Sequence, residues 1–456
     1  MRITRTTIRQ LAIAYAIFLC LIGSAASGSD AVSFRSDIAP ILLENCLACH
    51  GVKKSEGGYQ VDSFEELLKP GDSGETPIAR TKGETSELLR RITCEDASER
   101  MPSEADALSP EQIERIKQWI QSGAPFDGES TTLPLRLVIP PPTYADAPAS
   151  YSRAVPITAV VFSPDGTQIV AGGYHEVTVW SSEDHSLLRR IGNIGQRVFA
   201  LAFSADGKTL AVACGDPGKS GEVRMVDFVT GNIRGVVGRA NDVALDVAFR
   251  PGTAELAVAS ADALIRIIDT ETLQEVRTIA SHADWVTAIT WSDDGSLLAS
   301  SSRDKSAKVC DGATGELLSS YLGHGAAVRG VAILKDGKQA VSSGADGNVH
   351  RWNIDAAKKV AEIGIGKEGY KLVRHGDDLF VPCADHRVLR IDLTNNSIAR
   401  EFKGHTDWVL AASLSRTTAD ANHANVTRLL SGSFDGEVRL WNAADGATLQ
   451  AWIAKP

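Results

Sequence analysis

The chain has 456 residues, 43% of them hydrophobic, and a net charge of −10 at pH 7. That acidity excludes nucleic acid as a natural partner, because binding phosphates demands a basic face. After residue 30 no stretch is apolar enough to cross a bilayer, which takes ~20 apolar residues in a row.

Residues 1–30 read as a secretory signal. Arg2, Arg5 and Arg9 give a positive start, Leu11 to Ile22 is an apolar run, and Ser24-Ala25-Ala26 supplies small residues for cleavage. The run is too short for a convincing membrane anchor. The mature protein is expected outside the cytoplasm, in a periplasm or similar compartment, with no stable membrane span.

Residues 31–128 are expected to form a small α-helical domain. Phe34, Ile38, Ile41 and Leu42 repeat at helical spacing. Cys46-Leu47-Ala48-Cys49-His50 follows at once, and a Cys-x-x-Cys-His run is the attachment site of a c-type haem. Its two thiols add to the porphyrin vinyl groups, and the adjacent imidazole ligates the iron. A Cys-x-x-Cys pair also serves as a redox dithiol or as half a zinc site. Zinc needs two more ligands at matching spacing, yet the next histidine after His50 is His175. A dithiol centre expects a strand–helix–strand setting, and neither use requires His50.

The second axial ligand is expected to be Met101, 51 residues after His50 and followed by Pro102. The chain has three methionines, and between residues 27 and 174 only His50 and Met101 are His or Met. A Cys94 thiolate or an open sixth position are the alternatives. After Met101, Ser109-Pro110-Glu111-Gln112 is a helix start with N-cap, first-turn proline and capping-box residue. Ile113, Ile116, Trp119 and Ile120 make one apolar stripe, and Gly123 can end the helix. This domain holds 11 basic and 18 acidic side chains, a balance that suits steering to a basic redox partner or simple solubility.

Residues 32–128 resemble the planctomycete-type cytochrome c domain. The likeness rests on Asn45-Cys46-Leu47-Ala48-Cys49-His50-Gly51, Ser86-Glu87-Leu88-Leu89-Arg90-Arg91-Ile92, Arg100-Met101-Pro102 and Ile116-Lys117-Gln118-Trp119-Ile120. That family commonly carries a second proline where Ser103 stands here. The resemblance implies the cytochrome fold and one covalent haem c, and it implies no substrate.

Residues 129–155 read as a proline-rich linker, with Pro134, Pro140, Pro141, Pro142 and Pro148 favouring extended chain. Leu133 to Ile139 could add an edge strand to a neighbouring sheet. From 156 to 456 the sequence repeats. Phe162, Phe203, Phe249 and Trp291 stand 41, 46 and 42 residues apart, with turns such as Ser163-Pro164-Asp165-Gly166 and Ser292-Asp293-Asp294-Gly295 behind them. A period of ~40–45 residues is that of a four-stranded propeller blade. Seven units begin near 156, 196, 242, 285, 327, 369 and 408; the sixth is degenerate, and the last carries an insertion around 415–426. Cys214, Cys310 and Cys383 fall in strand-like runs of separate repeats, as buried free thiols would. Met225 is expected in the core.

Gly323-His324, Gly404-His405 and Val349-His350-Arg351-Trp352 resemble the marks of the WD-repeat family. The resemblance implies that His405, Ser431 or Ser433, Asp435 and Trp441 form the family's structural tetrad. It also implies that His324, Asp346 and Trp352 are a partial copy, and that repeat four is incomplete because Cys310 stands at the Trp position. A hydrolytic Ser-His-Asp reading of these residues is rejected, since they join neighbouring strands. No catalytic residue is assigned.

The chain is therefore expected to be an exported single-electron carrier whose propeller is a protein-interaction platform for a redox partner or complex subunit. One alternative is a periplasmic oxidoreductase with its site on the propeller. It would have to draw on the scattered His175, His185, His350, His375, His386 and His423, which show no metal spacing. A haem-based sensor or scaffold is the other alternative, and requires an open sixth position.

Overall fold

The computed structural model describes residues 31–52, 54–81, 85–103, 105–415 and 427–456. The expected signal, 1–30, and residues 416–426 of the expected insertion lie outside the described residues. The chain divides into two compact units, Met1–Pro141 and Pro142–Pro456.

In the first unit Ser33 caps a π-helical turn, Phe34–Ile38, that runs into α1, Ala39–Asn45. The expected apolar face of this stretch is buried through Phe34, Ile38, Ile41 and Leu42. Two short strands follow, β1 (His50–Gly51) and β2 (Lys54–Ser55), then α2 (Phe64–Leu67), α3 (Glu87–Thr93), α4 (Pro110–Gln121) and α5 (Leu135–Val138). Helix α4 starts as its sequence predicts. Ser109 Oγ accepts the Gln112 N–H at 3.2 Å, and Gln112 Oε1 accepts the Ser109 N–H at 2.9 Å. Gly123, at φ +94°, ends it in a conformation open to glycine. Ile116, Trp119 and Ile120 turn inward. The Trp119 ring lies 5.5 Å from Phe34, and Phe34 lies 4.9 Å from Phe64, so the two main helical stretches share one aromatic core.

The proline-rich stretch is shared between the units. The Glu65 N–H donates to the Thr131 carbonyl, and the Leu135 N–H to the Asp62 carbonyl. Leu135 and Val138, three residues apart on one helical turn, are buried in the first core. That burial selects α5 over the edge strand entertained for Leu133 to Ile139. Residues 142–155 lie on the second unit. The Tyr144 N–H donates to Asn193 Oδ1, Arg190 donates to the Pro148 and Ala149 carbonyls, and Tyr151 Oη donates to Glu176 at 2.6 Å.

The second unit is a seven-bladed β-propeller. Seven antiparallel sheets of four strands each run in simple chain order. They cover 160–191, 197–240, 244–279, 286–321, 328–364, 373–403 and 409–453, in step with the seven expected repeats. The Asp-Gly turns form as expected, with Gly166 at φ +71° donating its N–H to the Ser163 carbonyl. Blade 7 draws all four strands from its own segment, ending with Thr448–Ile453. The ring closes by contact: Ile157 N–H to Ser433 O at 2.9 Å, Arg428 Nη2 to Gly166 O at 2.9 Å, and Val160 and Phe162 packed with Leu430 and Val438. Cys214, Cys310, Cys383 and Met225 are buried in blades. Burial pushes the Cys310 thiol up to about 11, and Cys214 and Cys383 to about 12.

Candidate functional site

The first candidate lies where α1 ends. The Cys46 N–H donates to the Leu42 carbonyl, and the Cys49 and His50 N–H groups both donate to the Cys46 carbonyl, at 3.2 and 3.0 Å. Cys46, Cys49 and His50 thus share one turn. Both cysteines are half-buried free thiols. Burial, with Cys49 adding to it, pushes the Cys46 thiol up to about 11. Gly51 is forced by packing, since a Cβ there would stand 2.7 Å from the Leu47 carbonyl oxygen.

Tyr59 fixes the His50 ring. Its carbonyl oxygen lies 3.3 Å from His50 Nδ1, and its own ring packs edge-on at 5.6 Å. Tyr59 Oη is tied in turn to the Leu67 carbonyl at 3.0 Å. His50 Nε2 has no hydrogen-bond partner among the described residues. A metal-ligating histidine shows this pattern, one ring nitrogen donating to a carbonyl and the other left for the metal. Two free thiols and a half-satisfied imidazole on one turn fit a covalently tethered haem. Sequence reasoning missed Tyr59, because a backbone carbonyl leaves no mark in side-chain identity.

Met101 stands in a separate loop after α3. Its N–H donates to the Arg91 carbonyl at 3.1 Å. Glu87 braces this loop through Arg90 and Arg91, both at 2.7 Å, and Arg90 also reaches Glu99. The Arg90 guanidinium foremost, then Arg91, hold the Glu87 carboxyl down to about 2.

The propeller histidines resolve into strand-joining networks. In blade 7 Trp441 Nε1 donates to Ser431 Oγ at 2.9 Å, Ser431 Oγ lies 2.8 Å from His405 Nε2, and His405 Nδ1 is 3.5 Å from Asp435. Ser431 is the network's serine; Ser433 bonds the Asp407 carbonyl instead. Blade 5 repeats the pattern with His324, Asp346 and Ser342 at 2.8 and 2.9 Å. There Trp352 departs: its indole nitrogen is buried without an acceptor, and its ring stacks on Tyr321 at 4.9 Å. Blade 4 holds a third set, His282 with Asp304 at 2.9 Å and Ser300 at 2.8 Å. Cys310 occupies the tryptophan's register opposite Leu298, so this set lacks its indole. His282 escaped notice because Ser281 stands where Gly323 and Gly404 mark the other repeats; the 22-residue His–Asp spacing, shared by 282/304 and 324/346, was the available signal. Burial lowers all three histidines, His405 to about 4. Ser300, Ser342 and Ser431 are sealed from solvent, so they tie strands together and present no nucleophile.

Among the described residues two donor groups could share a metal ion, His324/Asp346/His350 and His405/Asp435/Glu437. Both are already engaged. His324 uses both ring nitrogens and stacks on His350 at 4.0 Å with nearly parallel planes, so their lone pairs do not converge. Arg439 Nε sits 2.6 Å from Glu437. The other scattered histidines do not gather: His175 packs on Tyr174, His185 on Trp452, and His375 and His386 stand exposed on blade 6. His423 lies outside the described residues.

Fold defines the class: a seven-bladed β-propeller preceded by a small helical unit. Residues 46–104 match the family model for planctomycete cytochrome C, and residues 150–181, 273–311, 315–353 and 396–442 match that for the WD domain, G-beta repeat. Actin-interacting protein 1 of Drosophila melanogaster is 23% identical over 67% of this chain and 50% of its own length. Nuclear distribution protein PAC1 of Coccidioides posadasii is 26% identical over 72% of this chain and 65% of its own. WD repeat-containing protein 1 of Xenopus tropicalis is 24% identical, over 64% and 49%. The chain spans about half to two thirds of the length of these relatives. No helix among the described residues is long and apolar enough to cross a membrane.

Proposed function

We propose that this chain is an exported c-type cytochrome carrying single electrons, with its WD-repeat propeller as a protein-docking platform. The observation that carries the reading is the single turn that holds Cys46, Cys49 and His50, with His50 Nδ1 against the Tyr59 carbonyl and Nε2 left open. Cys46 and Cys49 would hold a haem c by thioethers, His50 would ligate its iron, and Met101 would complete the axial pair. When bound, the haem supplies a one-electron iron couple. The chain's own residues orient the imidazole through Tyr59 and position the methionine loop through Glu87, Arg90 and Arg91. The match of residues 46–104 to a cytochrome model supports the cofactor. The WD repeats, and relatives one of which is named for interacting with actin, support docking of a protein, here a redox partner or complex subunit. Residues 1–30 support a periplasmic or other extracytoplasmic place.

A potentiometric titration of the purified protein, followed by its visible spectrum, tests this. The expected result is a reversible one-electron couple and no carbon monoxide uptake by the ferrous protein, because Met101 resists displacement. Carbon monoxide binding would point to an open sixth position and the sensor reading; absence of a couple contradicts electron carriage.

A further inference from the structure

Four guanidinium groups of the first unit have acceptors. Arg35 Nε donates to the Val138 carbonyl at 3.0 Å, Arg80 Nε to the Gly123 carbonyl at 3.1 Å, and Arg90 and Arg91 to Glu87. Arg100 differs. The residue is half-buried, its Nε is sealed from solvent, and it has no acceptor among the described residues. Its position is not slack, since the Arg100 N–H donates to the Asp96 carbonyl at 2.9 Å and the next N–H, of Met101, to Arg91. A buried donor without an acceptor costs about 1–3 kcal/mol, and more when charged. The domain holds 18 acidic side chains against 11 basic ones, yet none of its described carboxylates meets this cation. Such a group calls for an anion from outside the polypeptide.

We propose that Arg100 is the counter-ion of a haem propionate, an inference that rests on the haem reading above. A propionate is a carboxylate, the anion whose geometry the arginine fork matches best. Arg100 precedes Met101, so one braced loop would supply both the second axial ligand and the charge that neutralises the porphyrin's edge. A cation held there stabilises the reduced haem, which carries one more electron, and keeps the propionate ionised to lower pH.

The test uses the full chain matured in a host that attaches c-type haem, with Arg100→Gln and Arg100→Lys beside wild type. At the potential where wild type is half reduced, R100Q should show at least a threefold higher ratio of oxidised to reduced haem, with R100K between the two. The pH-dependent limb of the R100Q potential should also move toward neutral pH. A merely structural arginine would alter unfolding and leave the potential and its pH profile alone. If R100Q fails to assemble, the same displacement in R100K, smaller in size, supports the assignment. Haem present with an unmoved potential and pH profile overturns Arg100 alone, whereas wild type without covalent haem overturns the reading beneath it as well.

Discussion

His405 shows how a single buried ring can govern stability. In the unfolded chain it titrates near 6.5; in blade 7 burial holds it down to about 4. Between those values the unfolded state binds more protons, so stability rises with pH across the window. The contribution is whole above ~6.5, falls as pH drops, and is lost by ~4. His282 and His324 are displaced the same way. The urea midpoint of the propeller should therefore fall as pH is lowered from 7 toward 4, with a shallower slope in His405→Asn; a flat or rising midpoint would contradict this. At this scale the sequence is easiest to read in contiguous side chains, as in Cys46 to His50, which the structure brings onto one turn. It was illegible where a main-chain atom does the work, as at Tyr59. Trp352 shows a third case: a matching residue whose indole nitrogen finds no acceptor, its ring stacked on Tyr321.

Among the elements, the segment 142–155 has the most to teach. Its prolines read as a linker, but it is fastened to the propeller by two ion-paired arginines, the half-buried Arg190 and the buried Arg224. Arg190 joins Glu176 at 2.6 Å and also bonds the Pro148 and Ala149 carbonyls. Arg224 joins Glu222 at 2.5 Å, donates to the Pro142 carbonyl, and lies 5.1 Å over the Tyr144 ring. Glu222 sits above its usual range because burial outweighs the help from Arg224. Arg224→Ala would remove that carboxylate's buried hydrogen-bonded cation and release the segment. It should cost ~3–5 kcal/mol, while the paired change of Arg224 to Met and Glu222 to Leu should cost far less. Urea unfolding of both variants checks this; equal losses would show that packing, not the unpaired charge, sets the cost. Helix α4 was readable from its caps because local hydrogen bonds decide them. The strap and α5 were not, because their partners lie elsewhere in the chain, at Asp62, Asn193 and Arg224.

For the molecule as a whole, the propeller was legible because a repeat states its period seven times. Blades 4, 5 and 7 carry the His–Asp networks, and the WD matches fall on these and on blade 1. Blades 2, 3 and 6 keep the four-stranded order by pattern alone. The first unit shows no such redundancy, and the proposed chemistry rests on one turn. Intact-mass analysis of protein matured in its own host, read beside its absorption spectrum, is the most direct test. A mass equal to the mature polypeptide plus one haem, with a Soret band that survives denaturation and is lost in a variant with Cys46 and Cys49 both changed to Ala, is the predicted result. Bare polypeptide mass with no Soret band would contradict the account.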